Sequence, residues 1–596
     1  MFIKLQRHKI MNFYKNYRII IAVFLYFYII NIVNANSDNL SIHGSSNSFD
    51  IQRPNRREIP NFKKRKHFNS IRSPSFNDYL IDKEKRISSC KSIIISKFIF
   101  SGNKIYSDIK LNAIASLYIN RPICFDDLME LREKLTLFYI NNGYINSGVI
   151  LPDQKIVDGI VTYYVIEGVL SDIEVSGNKY LKSYYIKNKL FLGAGPPLNV
   201  NQLQEKFQLL LQEPLIEQAN AEIRPGSKIG QAILHIKIKE KKPYQLSISY
   251  NNHHSPPVGA ECSEFNATHY SLSGWGDTLG IQVGKTKGLC SIISFYEVPV
   301  TAHGSKFQFY YSSNYSKIIE KPFDIIDIEN KSKTASVLFS YPYFKSPESH
   351  LIFSLKAERK HSESYLFGNL FPLSNGSKSG KSDVMSICLM QDWVLRTQNN
   401  VFAVNSVFSA GIDAIGATIN DEPNVPDGRF FSWLGQFQWA SRISDKKDIQ
   451  MIYSTDIQLS NKPLLSIEKF SIGGANSVRG YRENQIQSDN GLAASIEIRI
   501  PIFRIPVPKL SKNPSDGIVQ LAPFMDYAWS NNNKHTSPEP DTISSIGVGL
   551  RWDPFPGAHS QIYWGNMLNK IDNSNNNLQD NGFHFLFNFN FFKSRR

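Results

Sequence analysis

A chain of 596 residues with 42% apolar content is long enough for several folded units and carries the apolar share of an ordinary folded protein. Its net charge of +15 is unevenly placed, so composition alone does not describe a nucleic-acid surface. The five cysteines fit an oxidising compartment, are too few for a dense disulfide framework, and none has metal-ligand spacing.

In chain order, Lys4, Arg7, Lys9, Lys15 and Arg18 precede an apolar run from Ile19 to Ile30, followed by Val33-Asn34-Ala35. A basic head, a short apolar segment and a small residue at the cut predict a signal peptide over residues 1–35. Asn31 and Asn34 interrupt the run before the roughly 18 apolar residues that a membrane helix needs. No later stretch is apolar enough for such a helix, which leaves a soluble exported protein or a β-barrel. Residues 36–89 are polar, with Pro54, Pro60, Pro74 and the cluster Lys63-Lys64-Arg65-Lys66, and read as a solvated linker.

From Cys90 the texture changes. Ser92–Phe100 is strand-like, Asp108–Tyr118 and Phe125–Asn141 carry helix-spaced apolar residues, and Gly148–Leu151 and Ile160–Ile166 return to a β pattern. The same β-α-α-β-β order recurs over Leu170–Val175, Tyr184–Leu192, Asn201–Leu211, Ala219–Ile223 and Ala232–Ile238. Ser176-Gly177-Asn178-Lys179 echoes Ser101-Gly102-Asn103-Lys104, so an internal repeat of about 75 residues predicts two copies of one small α+β domain.

After Pro243 alternation takes over. Tyr244–Tyr250 and Ile449–Ser460 place apolar and polar residues on opposite faces, and Phe583, Phe585, Phe587, Phe589 and Phe591 share one face of the last strand. The stretch from Pro243 to Phe592 accommodates about 16 membrane strands at roughly 10 residues each plus turns and outer loops. A barrel of that size encloses a lumen. The loop Asn461–Asn490 contains Phe470–Tyr481, where three glycines surround an arginine, Arg479.

Several segments resemble the TpsB outer-membrane transporters of two-partner secretion, the haemolysin-activator branch of the POTRA–barrel superfamily. Tyr144–Gln154 and Val165-Ile166-Glu167-Gly168 resemble the first POTRA domain of that family. Leu272–Asp277 resembles its turn after the second barrel strand, and Leu492–Pro501 its strand after the long loop. Ile546–Trp552 resembles its penultimate strand region, and Val478-Arg479-Gly480-Tyr481 its loop motif. The resemblance implies α+β POTRA repeats followed by a transmembrane antiparallel β-barrel: a first POTRA domain over 90–168, a second over 169–242 and a barrel over 243–596.

The family often has cysteines near Cys90 and Cys124, which makes these a candidate bridge. Folding a hairpin about Leu272–Asp277 brings Cys262 and Cys290 nearly opposite, a second candidate, with Cys388 left over. In the family the long loop folds back into the barrel, where a guanidinium needs a carboxylate. Parity along Val519–Trp529 turns Asp526 inward and parity along Leu492–Pro501 does the same for Glu497, so the expected latch is Arg479 on Asp526, with Glu497 nearby. Pro523–Ala528 resembles the family's strand motif with an inward aspartate, Ala528 standing where glycine is usual.

The resemblance implies an outer-membrane pore that recognises and exports one exoprotein carrying an N-terminal secretion domain. The barrel would sit in outer-membrane lipid with its POTRA domains in the periplasm, without nucleic acid, cofactor, metal or catalysis. A barrel-assembly factor of the same superfamily is the nearest alternative, and two POTRA repeats argue against it. A passive porin would leave the repeats and the inward arginine unexplained. No G-x-S-x-G turn is present, Gly376–Ser382 lacks one residue of a phosphate-binding loop, and His253-His254 beside Ser255-Pro256-Pro257 reads as a turn. Two departures stand out: Asn36–Asp50 is too rich in Ser, Asn and Gly for the family's plug helix, and the chain ends Lys593-Ser594-Arg595-Arg596 and not on an aromatic.

Overall fold

The computed structural model describes residues 92–422, 424–444, 448–571 and 577–592. The predicted signal peptide, the linker over 36–89, including the plug candidate Asn36–Asp50, and Cys90 lie outside them. Among the described residues no helix is long and apolar enough to cross a membrane.

Two small α+β modules come first. In the first, Lys97–Ser101 pairs parallel with Ile160–Ile166, which pairs antiparallel with Gly148–Ile150. Helices Asp108–Ala115 and Phe125–Asn141 pack on this sheet through Leu111, Leu131, Leu135 and Tyr139. The second helix starts where it does because the Cys124 backbone N–H donates to Asp127 Oδ2 at 2.7 Å, a side chain satisfying a helix-start donor. Cys124 is disulfide-bonded.

The second module repeats the order with Val169–Ser176, helices Ser183–Phe191 and Val200–Leu210, Ile216–Pro225 and Gln231–Glu240. The sequence echo has a physical basis. Gly102 and Gly177 both hold positive φ (91° and 82°), and a Cβ on either would lie 2.4 or 2.3 Å from the carbonyl oxygen of Val165 or Ile238. After each glycine one carboxylate gathers the turn. Lys104 and Ile105 donate backbone N–H to Glu167 at 2.8 Å each, and Lys179 and Tyr180 donate to Glu240 at 2.7 Å each. Glu240→Ala leaves those donors unpaired and is expected to destabilise the second module by about 1–3 kcal/mol, read as accelerated proteolysis within residues 169–242 of the full chain.

The modules are joined by the segment that carries the first-POTRA resemblance. Ile145 packs on the second core, Asn146 Nδ2 donates to the Gly230 carbonyl at 3.1 Å, and the Val200 N–H donates to the Gly143 carbonyl at 2.9 Å.

Sixteen long antiparallel strands then form a closed barrel, with the two-residue strand Asn369–Leu370 riding on one of them. Phe309, Val337, Leu355, Met525, Ile546 and Ile562 are exposed on its outer face, whereas Ser249, Glu358, Ser386 and Asp526 are buried. That distribution, apolar outside and polar inside, is what a lipid-embedded wall around a hydrated lumen requires. The wall is uneven in height. Glu329–Lys345, Ser349–Leu366 and Lys381–Arg396 have 17, 18 and 16 residues. Tyr244–Asn251, Cys262–Tyr270 and Thr278–Lys285 have 8, 9 and 8. The closing strands Phe583–Asn590 and Tyr244–Asn251 pair over five residues, from Leu586↔Asn251 to Asn590↔Ser247.

Two expectations are corrected here. Cys262 and Cys290 are free. The hairpin about Leu272–Asp277 sets Ser263 opposite Lys285, and the chain turns again at Thr286–Gly288 to set Lys285 opposite Cys290. A whole strand therefore separates the two cysteines, one buried and the other exposed. Two strand spacings of about 4.8 Å exceed the Cα separation of roughly 4.4–6.8 Å that a disulfide spans. In addition, Ile546–Trp552 lies on the third strand from the end, because Ala558–Met567 intervenes before the last.

The second module docks on one end of the barrel through the Leu272–Asp277 turn. Lys182 donates its backbone N–H to the Gly274 carbonyl at 2.9 Å, Tyr184 meets Trp275 edge-on at 5.7 Å, and a Cβ on Gly276 would lie 2.5 Å from Tyr185 Oη. Beside this contact Lys189 pairs with Glu213, and Gln212 reaches the Pro347 carbonyl at 3.2 Å. Burial alone would raise the Glu213 carboxyl, but Lys189, with Lys345 and Lys306 behind it, holds it below its ordinary value of 4.5. A depressed carboxylate stabilises the fold above its unfolded pKa and loses that contribution as pH falls through its folded pKa. Acidification below about pH 4.5 is thus expected to loosen the junction, seen as faster proteolysis after module two, and Glu213→Gln should flatten that pH dependence.

Candidate functional site

The loop between Ile449–Ser460 and Asn490–Arg504 enters the barrel instead of standing outside it. Its limbs pair as a short hairpin, Phe470–Ile472 against Ile486–Ser488, whose apolar residues pack with Val478, Tyr481, Ala493, Ala528 and Ile543. At its foot, Lys360 on the strand Ser349–Leu366 pairs with Glu468 at 3.0 Å, while Asp489 accepts the N–H groups of Leu464 and Asn533 at 2.9 and 2.8 Å. Near the tip, Arg482 pairs with Asp580 and Glu320 of two neighbouring loops. The Glu483 carboxylate accepts the Ala475 N–H at 2.5 Å. It occupies the place where a Cβ on Gly474 would stand, 2.2 Å away, and Gly474 itself has φ of 98°.

Arg479 is fully buried at the tip. Its Nε and Nη2 donate to Asp526 Oδ2 and Oδ1 at 2.7 and 2.8 Å, a bidentate pair, and its backbone N–H donates to Oδ2 at 2.9 Å. Nη1 donates to Glu497 Oε2 at 2.5 Å and Nη2 also reaches Ser495 Oγ at 3.0 Å. The guanidinium carbon lies 3.5 Å from the Phe524 ring centre and 4.8 Å from that of Tyr563. A buried guanidinium costs several kcal/mol unless it is paired and hydrogen-bonded, and here the charge, the donors and the planar faces are all met.

The wall continues the network. Glu497 Oε1 accepts from Arg499 Nε at 2.6 Å and from Tyr563 Oη at 3.2 Å, while Arg551 Nη1 donates to Tyr563 Oη at 3.0 Å. Gly480 follows Arg479 with φ of 94° and donates its N–H to His584 Nε2 at 3.1 Å. A Cβ on Gly480 would lie 2.8 Å from the Gly565 carbonyl oxygen, and one on Gly565 would lie 2.9 Å from the Arg479 carbonyl. Loop and wall therefore touch backbone to backbone. Tyr481 Oη sits 2.9 Å from the Ser544 carbonyl and 2.7 Å from that of Asn569, with one proton to donate between them.

Of the residues singled out in the sequence, Val478, Arg479, Gly480, Tyr481, Asp526 and Glu497 are thus brought together. Ser495, inward by the same parity as Glu497, joins them, whereas Phe524, Tyr563, Gly565 and His584 are additions from the structure. Phe524 shares the parity of Asp526, so inward alternation could have found it. The contributions of Tyr563, Gly565 and His584 depend on which strands the loop tip reaches, which no local pattern encodes. Chemically, the arrangement satisfies and immobilises a charge; every donor of Arg479 described here ends on a fixed acceptor.

Residues 230–552 match the family described as haemolysin secretion/activation protein ShlB/FhaC/HecB, and residues 93–168 match the POTRA domain of ShlB type. The heme/hemopexin transporter protein HuxB of Haemophilus influenzae (strain 86-028NP) is 20% identical over 497 residues, 80% of this chain and 82% of the relative. The outer membrane transporter CdiB of Dickeya dadantii (strain 3937) is 20% identical over 403 residues, 66% and 70% of the two chains. The solved structure of CdiB from Escherichia coli has the same fold, with a TM-score of 0.64 at 18% identity over 86% of this chain and 93% of that one.

Proposed function

The chain belongs to the family of haemolysin secretion/activation proteins ShlB/FhaC/HecB, and from that premise we propose how its geometry serves as an outer-membrane pore for protein export. The modules lie in the periplasm, where they meet one unfolded exoprotein bearing an N-terminal secretion domain. Such a client adds to a sheet edge as a further strand, gaining main-chain hydrogen bonds that make little demand on its sequence. Ile216–Pro225, ten residues long and at the edge of the second module's sheet, suits that role. The client then passes through the lumen, and the reaction is one of transport, without catalysis.

One observation carries this reading: the inserted loop is held by Arg479 on Asp526 and Glu497 inside a closed sixteen-strand barrel whose near end bears the second module. We assign the Arg479 cluster the role of a latch that fixes the loop against the wall. A latch with full pairing keeps the loop in one place, and the second module, docked on the Leu272–Asp277 turn, presents a client at the mouth. The test is to ask whether the neighbouring gene encodes a large β-rich exported protein and to co-express the two. The partner should reach the medium only when the barrel is present. Equal amounts in the medium without it would overturn the proposal, as would a barrel that admits small solutes but never the partner.

A further inference from the structure

We propose that His254, Cys262 and Glu264 form a binding site for a divalent transition-metal ion of the zinc type at the distal mouth of the barrel, away from the docked module. One donor atom from each lies within 4.8 Å of the others, and His254 Nε2 stands 3.8 Å from Glu264 Oε1. In a tetrahedral site with ligand bonds of about 2.0–2.3 Å, donors are roughly 3.3–3.7 Å apart, so a contraction of about 1 Å closes the set around an ion. Thiol, imidazole and carboxylate are the ligand types zinc takes, and the soft sulfur disfavours magnesium and calcium. Binding exchanges the Cys262 thiol proton for the metal and releases it to water, leaving a fourth position for a water molecule.

The spacing, seven residues between His254 and Cys262 and one between Cys262 and Glu264, matches no short metal motif, and pairing of strands creates the site instead. Cys262 and Glu264 are two apart on Cys262–Tyr270 and so share its inner face. Ser249, opposite Glu264 on the neighbouring strand, donates Oγ to Oε2 at 2.9 Å, which leaves Oε1 towards the histidine. His254 is brought back by its loop. Its N–H donates to the Ala260 carbonyl at 3.3 Å, its carbonyl accepts from Gln579 Nε2 at 2.8 Å, and the Val258 carbonyl accepts from the Gly288 N–H at 3.0 Å. Because Gln579 precedes the last strand, an ion here braces the first hairpin beside the closing strands.

The experiment uses the full chain in detergent micelles, reduced and stripped with chelator, then titrated with Co2+ as a coloured probe and back-titrated with Zn2+. One Co2+ per chain should bind with a near-ultraviolet thiolate-to-metal band that Zn2+ abolishes. Cys262→Ser should lose the band, and His254→Ala and Glu264→Gln should each weaken binding at least tenfold, while Cys290→Ser and Cys388→Ser bind as the parent does. The absence of stoichiometric binding, or a band that survives Cys262→Ser, overturns the proposal. If Cys262→Ser fails to fold, His254→Ala and Glu264→Gln decide it, and parental affinity in both overturns it.

Discussion

Arg479→Ala is expected to reduce secretion of the partner more than tenfold while the barrel still inserts. The substitution removes the charge that Asp526 and Glu497 share at 2.7 and 2.5 Å and leaves both carboxylates on the wall with fewer partners. Breaking one side of a buried pair costs about 3–5 kcal/mol, so the variant should also melt earlier. Arg479→Lys retains charge but not the two-pronged contact, and should fall between. To separate folding from transport, the triple change Arg479→Met, Asp526→Asn, Glu497→Gln removes all three charges together. It should recover much of the melting temperature, since a neutral packed site can equal a buried ion pair, yet remain defective in export. Secretion at the parental rate from a well-assembled Arg479→Ala barrel would remove the latch from the mechanism.

Gly565→Ala is expected to give the second-largest effect, although it adds one methyl group to a strand far in sequence from the loop. That carbon would stand 2.9 Å from the Arg479 carbonyl carbon and oxygen and from the Gly480 nitrogen, all of them backbone. No rotamer change relieves the clash, so the loop tip must lift, at about 1–3 kcal/mol. Lifting it stretches every Arg479 contact at once. The expected readout is a several-fold loss of secretion together with new protease sensitivity between Asn461 and Asn490. A control at an outward position on the same strand, Ile562→Val, should do neither.

How much of this was legible beforehand depends on which rule governs each residue. The α+β repeats and the roughly sixteen-stranded barrel follow from a change of period, 3.6 to 2, near Pro243 and from spacing between alternating runs. Asp526 and Glu497 could be assigned to the lumen because a wall between lipid and water fixes side by parity. Parity fails when the turns are miscounted. A single hairpin about Leu272–Asp277 sets Cys290 opposite Cys262, whereas the further tight turn at Thr286–Gly288 puts a full strand between them. Contacts between distant segments, such as Gly480 with Gly565 or Tyr185 under Gly276, carried no local signal. The Leu272–Asp277 turn carries the family resemblance in sequence, while its physical reason, seating the second module, lies in contacts between distant segments.

The uneven height of the wall bears on the surrounding lipid. At about 3.3 Å per residue and a tilt near 45°, an 8-residue strand such as Tyr244–Asn251 or Phe583–Asn590 rises only ~19 Å along the bilayer normal. By the same measure the 18-residue strand Ser349–Leu366 rises ~42 Å. The apolar band of an outer-membrane barrel is about 25 Å tall, so acyl chains beside the first and last strands must compress to cover them, while the far side extends well into the external medium. Such mismatch costs fractions of a kcal/mol per Å. The bilayer is therefore thinnest, and under most tension, where the barrel is joined by five residue pairs.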